Sequence, residues 1–117
     1  MRKVAVIGGT RLSTLQNLSI THSTKVKTPY GDPSAPLSYG LMGGIEVVYM
    51  PRRGPETEGL PPHKINYRAN IWALRDAGVQ LIISTNSVAS LSGNYEMGDI
   101  VIPDQLIDYT YNREYTF

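Results

Sequence analysis

Cysteine is absent from this 117-residue chain, and histidine occurs only at His22 and His63. The first absence excludes a disulfide scaffold and a thiolate nucleophile; together the two leave few ligands for a metal centre, and none is expected. Charge of one sign is also lacking: eleven basic and ten acidic side chains nearly cancel. No broad field therefore favours nucleic acid or an anionic membrane, and any anion site must be local. No apolar run approaches the length needed to span a bilayer, and Met1-Arg2-Lys3 leads into a strand without a secretory apolar region. The expectation is a soluble cytoplasmic protein. Internal repeats, low-complexity tracts and interdomain linkers are missing too, so residues 1–117 read as one domain or part of one, long enough for a core but short for a complete small-molecule α/β enzyme.

What is present is a series of strands that end in polar residues. The richest stretch is His63 to Leu91. Ala69, Trp72, Ala73 and Ala77 form an apolar stripe at helical spacing, Arg68, Arg75 and Asp76 lie off it, and Gly78 stops the helix. Val79 to Ile83 is a branched apolar run that suits a strand covered on both faces, and it opens into Ser84, Thr85, Asn86 and Ser87. In open α/β sheets ligands collect beyond such carboxyl ends. A satisfied Ser/Thr/Asn turn fits the same residues.

Lys3 to Ile7 reads as a first strand followed by Gly8-Gly9-Thr10, a turn where backbone amides can approach a bound group; a tight strand exit without ligand is the alternative. Neither the dinucleotide-binding glycine pattern nor a Walker loop is present. Ser13 to Pro36 is dominated by turn chemistry and is expected at the surface or rim. Leu37–Met42 and Ile45–Met50 flank Gly43-Gly44, the form of a two-residue hairpin, and the second strand delivers Pro51-Arg52-Arg53-Gly54. Two guanidiniums at a strand end suit an oxyanion; a pair of solvated arginines is the plainer reading. Pro55 to Pro62 reads as an exposed loop. Gly98 to Tyr109 reads as a Gly-Asp turn, a short strand and a proline interruption, with Asp99, Asp104 and Asp108 in turn and capping roles.

Taken together, IGGT at 7–10, TPYGDPSAPL at 28–37, PPHKINYRANIWAL at 61–74, TNSVASL at 85–91 and GDIVIPDQLIDYT at 98–110 resemble the methylthioadenosine phosphorylase branch of the purine nucleoside phosphorylases, most of all its methylthioinosine phosphorylase type. The resemblance implies the amino-terminal half of a phosphorylase/hydrolase-like α/β fold: a mixed β-sheet with a flanking helix and a β-hairpin. It implies phosphorolysis of 5′-methylthioadenosine, 5′-methylthioinosine or other purine nucleosides to free base and a pentose 1-phosphate, with inorganic phosphate as co-substrate and no metal or organic cofactor. The implied phosphate contacts are Thr10, Arg52, Arg53, Asn86 and Ser87, with Val88 and Ala89 beside the nucleoside; no catalytic acid is assigned.

The resemblance also implies a homo-oligomer, a trimer or hexamer, and places the remaining purine and ribose contacts and the acid that assists the leaving base in a second half. Arg11 stands where the family has glycine, Arg53 where it has histidine, and Ala89 where it has a glycine near the purine; Pro55 to Gly59 differs in length and lacks a further histidine. This clustering at the ligand surface is what a divergent or catalytically impaired relative would show, and altered nucleoside specificity would look similar. It also fits a truncated or degenerate homologue that acts as an assembly module, or as one half of a split enzyme completed by a carboxy-terminal polypeptide.

Overall fold

The computed structural model describes residues 2–9, 17–54 and 57–117. These fall into two units, Met1–Ser87 and Val88–Phe117. The first is an α/β unit with a five-stranded mixed sheet in the order β2-β3-β4-β1-β5. The strands are β1 (Val4–Gly8), β2 (Ser19–Thr24), β3 (Leu37–Met42), β4 (Ile45–Pro51) and β5 (Leu81–Ser84), with helix α1 (Tyr67–Asp76) ahead of β5. β2, β3 and β4 pair antiparallel. β1 pairs parallel with β4 on one side and β5 on the other.

The hairpin forms where expected. Gly43 and Gly44 both take left-handed backbone angles, φ +57° and +80°, which a two-residue turn needs to match the twist of its strands. Strand alternation then sends Ala5 and Ile7 of β1, Val48 and Met50 of β4 and Leu37 of β3 into one core with Ala73 and Leu74 of α1. The helix is seated on a face containing Ala69, Asn70, Ala73 and Leu74. Trp72 and Ala77, expected on the buried stripe, are only half-buried. The alanines let the helix backbone come close to the sheet, and Leu74 fills the space beyond them.

Four expectations need correction. The run Val79 to Ile83 is not a strand covered on both faces: β5 starts at Leu81, and Leu81, Ile82 and Ile83 are 52%, 38% and 49% exposed. Among the described residues β5 is the outermost strand and pairs with β1 alone, and Val79 and Gln80 are used instead to turn out of the helix, through bonds to the Leu74 and Lys3 carbonyls. Ser13 to Pro36 is not all surface: it contains β2, and Pro33, Ser34 and Ala35 are buried. All six β2 residues are exposed, so the strand is held by its backbone ladder to β3 rather than by an apolar face. Pro55 to Pro62 is not simply exposed, since Thr57 is buried and bonds back to Gly54, and a short 3-10 helix begins at Pro62.

The fourth correction lies in the second unit, where no strand forms between Gly98 and Tyr109. The Gly-Asp turn is present, with Asp99 accepting from the Glu96 N–H at 2.8 Å. Asp108 accepts from both the N–H and the hydroxyl of Thr110, which holds its carboxyl below the usual carboxylate range. These are the turn roles expected of Asp99 and Asp108.

Truncating Leu74, which is fully buried, is expected to cost roughly 2–5 kcal/mol of stability in Leu74→Ala by urea unfolding, the range for a core leucine. Burial also raises the phenol of Tyr49, and burial together with the Asp76 carboxylate raises that of Tyr39. Both favour the neutral form in the fold, so the stability they give is present below the ordinary phenol range and is lost as the pH rises through it. The urea midpoint should fall as the pH passes about 10, and fall less in Tyr49→Phe.

Candidate functional site

Parallel pairing puts the carboxyl ends of β4, β1 and β5 side by side, with Gly8 opposite Pro51 and Ile7 opposite Ser84. The chain continues the ladder just beyond each end: the Arg52 N–H donates to the Gly8 carbonyl at 2.8 Å, and the Thr85 N–H donates to the Ile7 carbonyl at 3.1 Å. Gly9, Arg52 and Thr85 thus meet at one edge. A Cβ on Gly9 would lie 3.0 Å from the Thr85 carbonyl oxygen and 3.4 Å from Nη2 of Arg52. The first distance is tight enough that the Thr85 backbone would have to give by a few tenths of an ångström, whereas the second is ordinary contact.

The Arg52 guanidinium lies across this backbone with its Nε buried and without a hydrogen-bond partner among the described residues. A buried N–H donor on a permanent cation is costly to leave unpaired, on the order of 1–3 kcal/mol or more. It is therefore the strongest local indication of an anion-accepting position. Glycine backbone and the Arg52 fork are donors of the kind that grip a small oxyanion, while the Thr85 hydroxyl is directed to the Ile7 carbonyl at 3.5 Å.

The remaining expected residues divide. Arg53, the next residue along, is exposed, as are Asn86 and Ser87, which continue from Thr85. Thr10 and Arg11 lie outside the described residues. Val88 and Ala89 begin the second unit and are exposed within it. Among the described residues no cluster of three or more His, Cys, Asp or Glu side chains is arranged to hold a metal ion.

Beyond the strand ends, a second layer holds this edge in place. Gly54 packs directly on the loop before β3, so that a Cβ there would meet the Ser34 carbonyl oxygen at 2.4 Å and the Ala35 Cβ at 2.7 Å. Ser34 is fixed in turn by Asn70 of α1, which accepts from the Ser34 N–H at 2.8 Å and donates to its hydroxyl at 2.9 Å. One turn earlier Asn66 caps α1 by accepting from the Ala69 N–H and donates at 2.6 Å to the Tyr30 carbonyl in the Thr28–Gly31 turn. Sequence reasoning missed Asn70, Ser34 and the packing of Gly54. An asparagine on a helix face that is otherwise apolar was the available signal.

The model of the phosphorylase superfamily matches residues 3–117. The chain belongs to that family. S-methyl-5′-thioadenosine phosphorylase of Pyrococcus furiosus is 49% identical over 117 residues, covering 100% of this chain and 44% of that protein. A probable S-methyl-5′-thioinosine phosphorylase of Pseudomonas syringae pv. tomato is 43% identical over the same length, which is 47% of its own. Among solved structures, methylthioadenosine phosphorylase from Schistosoma mansoni in complex with adenine superposes with a TM-score of 0.91 at 38% identity, over 100% of this chain and 42% of that one. This phosphorylase-superfamily chain therefore spans somewhat under half the length of these relatives, and the α/β architecture expected from its sequence is the one it has.

The contacts at Gly54 set a graded expectation. Gly54→Ala forces backbone to move and is expected to cost about 1–3 kcal/mol in urea unfolding, the usual range for overpacking. Gly9→Ala, whose nearest contact is 3.0 Å, is expected to cost less.

Proposed function

We propose that this chain supplies a phosphate-binding edge to an enzyme that cleaves purine nucleosides by phosphorolysis, with 5′-methylthioadenosine or 5′-methylthioinosine as substrate. In that reaction an oxygen of inorganic phosphate bonds to the anomeric carbon while the glycosidic C–N bond breaks. The base leaves with the bonding pair and takes up a proton, giving free purine and a (methylthio)ribose 1-phosphate. The anomeric carbon gains oxocarbenium character on the way, as in other glycosidic cleavages. Holding a dianion beneath it is a matter of position and electrostatics.

The observation that carries this reading is the buried, unpartnered Nε of Arg52 at the shared carboxyl end of three parallel strands. The relatives, S-methyl-5′-thioadenosine phosphorylase and a probable S-methyl-5′-thioinosine phosphorylase, supply the substrate class. In the proposed site Arg52 gives a charge-assisted pair of donors, Thr10 a hydroxyl and an N–H, and Asn86 and Ser87 further donors, with Arg53 adding field from the rim. Val88 and Ala89 are assigned to the nucleoside. The proposed assembly is a homo-oligomer using phosphate and no organic cofactor.

A second reading is favoured by the apolar edge at β5, unpaired among the described residues: the chain acts as an assembly module or as one half of an enzyme completed by another polypeptide. Incubation with phosphate and methylthioinosine, methylthioadenosine, inosine or adenosine separates the two by release of free base. Turnover by the chain alone defeats the second reading. Turnover only after a carboxy-terminal polypeptide is added favours it.

Phosphate titration by calorimetry tests the site itself. Arg52→Ala is expected to weaken binding by about 1.5–3 kcal/mol, the range for a hydrogen bond to a charged group. Arg53→Ala, at an exposed position, should cost under about 1 kcal/mol. Unchanged affinity in Arg52→Ala would remove Arg52 from the site.

A further inference from the structure

Asn70 and Ser34 are both buried, 4% and 1% exposed, and stand 36 positions apart in the chain. Both hydrogen-bonding functions of the Asn70 amide are spent on Ser34, one on its N–H and one on its hydroxyl. Simple helix–sheet packing does not require this: Ala69, Ala73 and Leu74 already seat α1. What the paired bonds do fix is the Ser34 carbonyl, and that carbonyl is the atom against which Gly54 is packed. Gly54 is additionally held by the Thr57 hydroxyl, which accepts from the Gly54 N–H and donates to the Gly54 carbonyl.

The segment from Arg52 to Gly54 is therefore clamped at both ends. At one end the Arg52 N–H is bonded to Gly8 of β1. At the other, Gly54 rests on Ser34, whose place is set from α1. The first of these fixed points carries the Arg52 side chain with its unpaired Nε, and the second lies two residues further on. A long cation keeps an unpaired buried donor only if its backbone anchor is held against relaxing into solvent.

We propose that Asn70 is a positioning residue for the anion site, acting through Ser34 and Gly54 to hold the Arg52 guanidinium at the carboxyl end of β1. The proposal rests on the phosphate-site reading above for its functional meaning, and its geometric content stands on its own. The Asn70 amide bonds to Ser34 rather than to Arg52 itself. It sets where a binding group lies, from the opposite end of a chain of contacts that begins inside the helix.

The test combines an NMR readout with phosphate titration on the whole chain. The Nε–Hε resonance of Arg52, assigned by its loss in Arg52→Lys, reports the placement of the guanidinium whether or not phosphate binds. Asn70→Ala is expected to shift it. Ser34→Ala, which removes only the hydroxyl partner and keeps the backbone bond, is expected to shift it less, and serves if Asn70→Ala does not fold. Ile71→Ala, which trims half-buried packing on the same helix, should lower stability and leave the resonance in place.

In calorimetry Asn70→Ala should weaken phosphate binding about three- to tenfold, a loss on the order of 1 kcal/mol by the affinity scale. The loss should vanish in the Arg52→Ala background, the non-additivity expected of residues acting through one another. An unmoved Arg52 resonance in Asn70→Ala and in Ser34→Ala overturns the proposal. So does an affinity loss that is undiminished when Arg52 is already alanine. Absence of phosphate binding by the unmutated chain instead overturns the phosphate-site reading, while the resonance still decides whether Asn70 places Arg52.

Discussion

The hydrogen bonds that β1 makes on both sides organise this molecule, since a strand paired parallel to β4 and to β5 forces three chain exits to one edge. Each exit carries a different kind of polar group: glycine backbone, a guanidinium and a hydroxyl. None of them is a site alone, and an isolated Arg-Arg or Gly-Gly-Thr is commonly plain surface or plain turn. The ladder makes them neighbours, and it does so with main-chain bonds that are indifferent to the side chains they bring together.

The same economy appears one layer further out. α1 contributes its apolar face to the core and, from within that face, a single amide that reaches the loop before β3. Asn66, one turn earlier, spends its side chain in a similar way, with one group on the helix's own first turn and the other on the Thr28–Gly31 turn. Two asparagines four residues apart thereby tie one helix to two points of an otherwise irregular stretch. This is how a Ser- and Pro-rich segment comes to be buried at Pro33 to Ala35 without regular structure of its own.

Much of this was legible in the residues. The hairpin was, because consecutive glycines between apolar runs leave few alternatives; so was α1, because alanines recur at its spacing and Gly78 follows. β2 was not, because its six residues are exposed and hydroxyl-rich, and what keeps it extended is its pairing with β3, by the backbone ladder and by cross-strand contacts such as His22 on Tyr39. β5 was found but misjudged: its apolar composition speaks of burial, whereas its place at the sheet margin leaves it uncovered. At the site, Arg52 could be nominated from its strand end. The residues that hold it there could not, since Asn70 and Ser34 look unremarkable until the fold sets them face to face.

The Gly43-Gly44 tip lies at the far end of β4 from Arg52. Neither glycine has an atom within 4 Å of where a side chain would sit, and β4 runs seven residues from tip to strand end, roughly 20 Å at the usual rise per residue. A reporter dye or affinity peptide spliced between β3 and β4 would hang free in solvent at that remove. The sheet thus offers an attachment point from which its own opposite edge is watched without being touched.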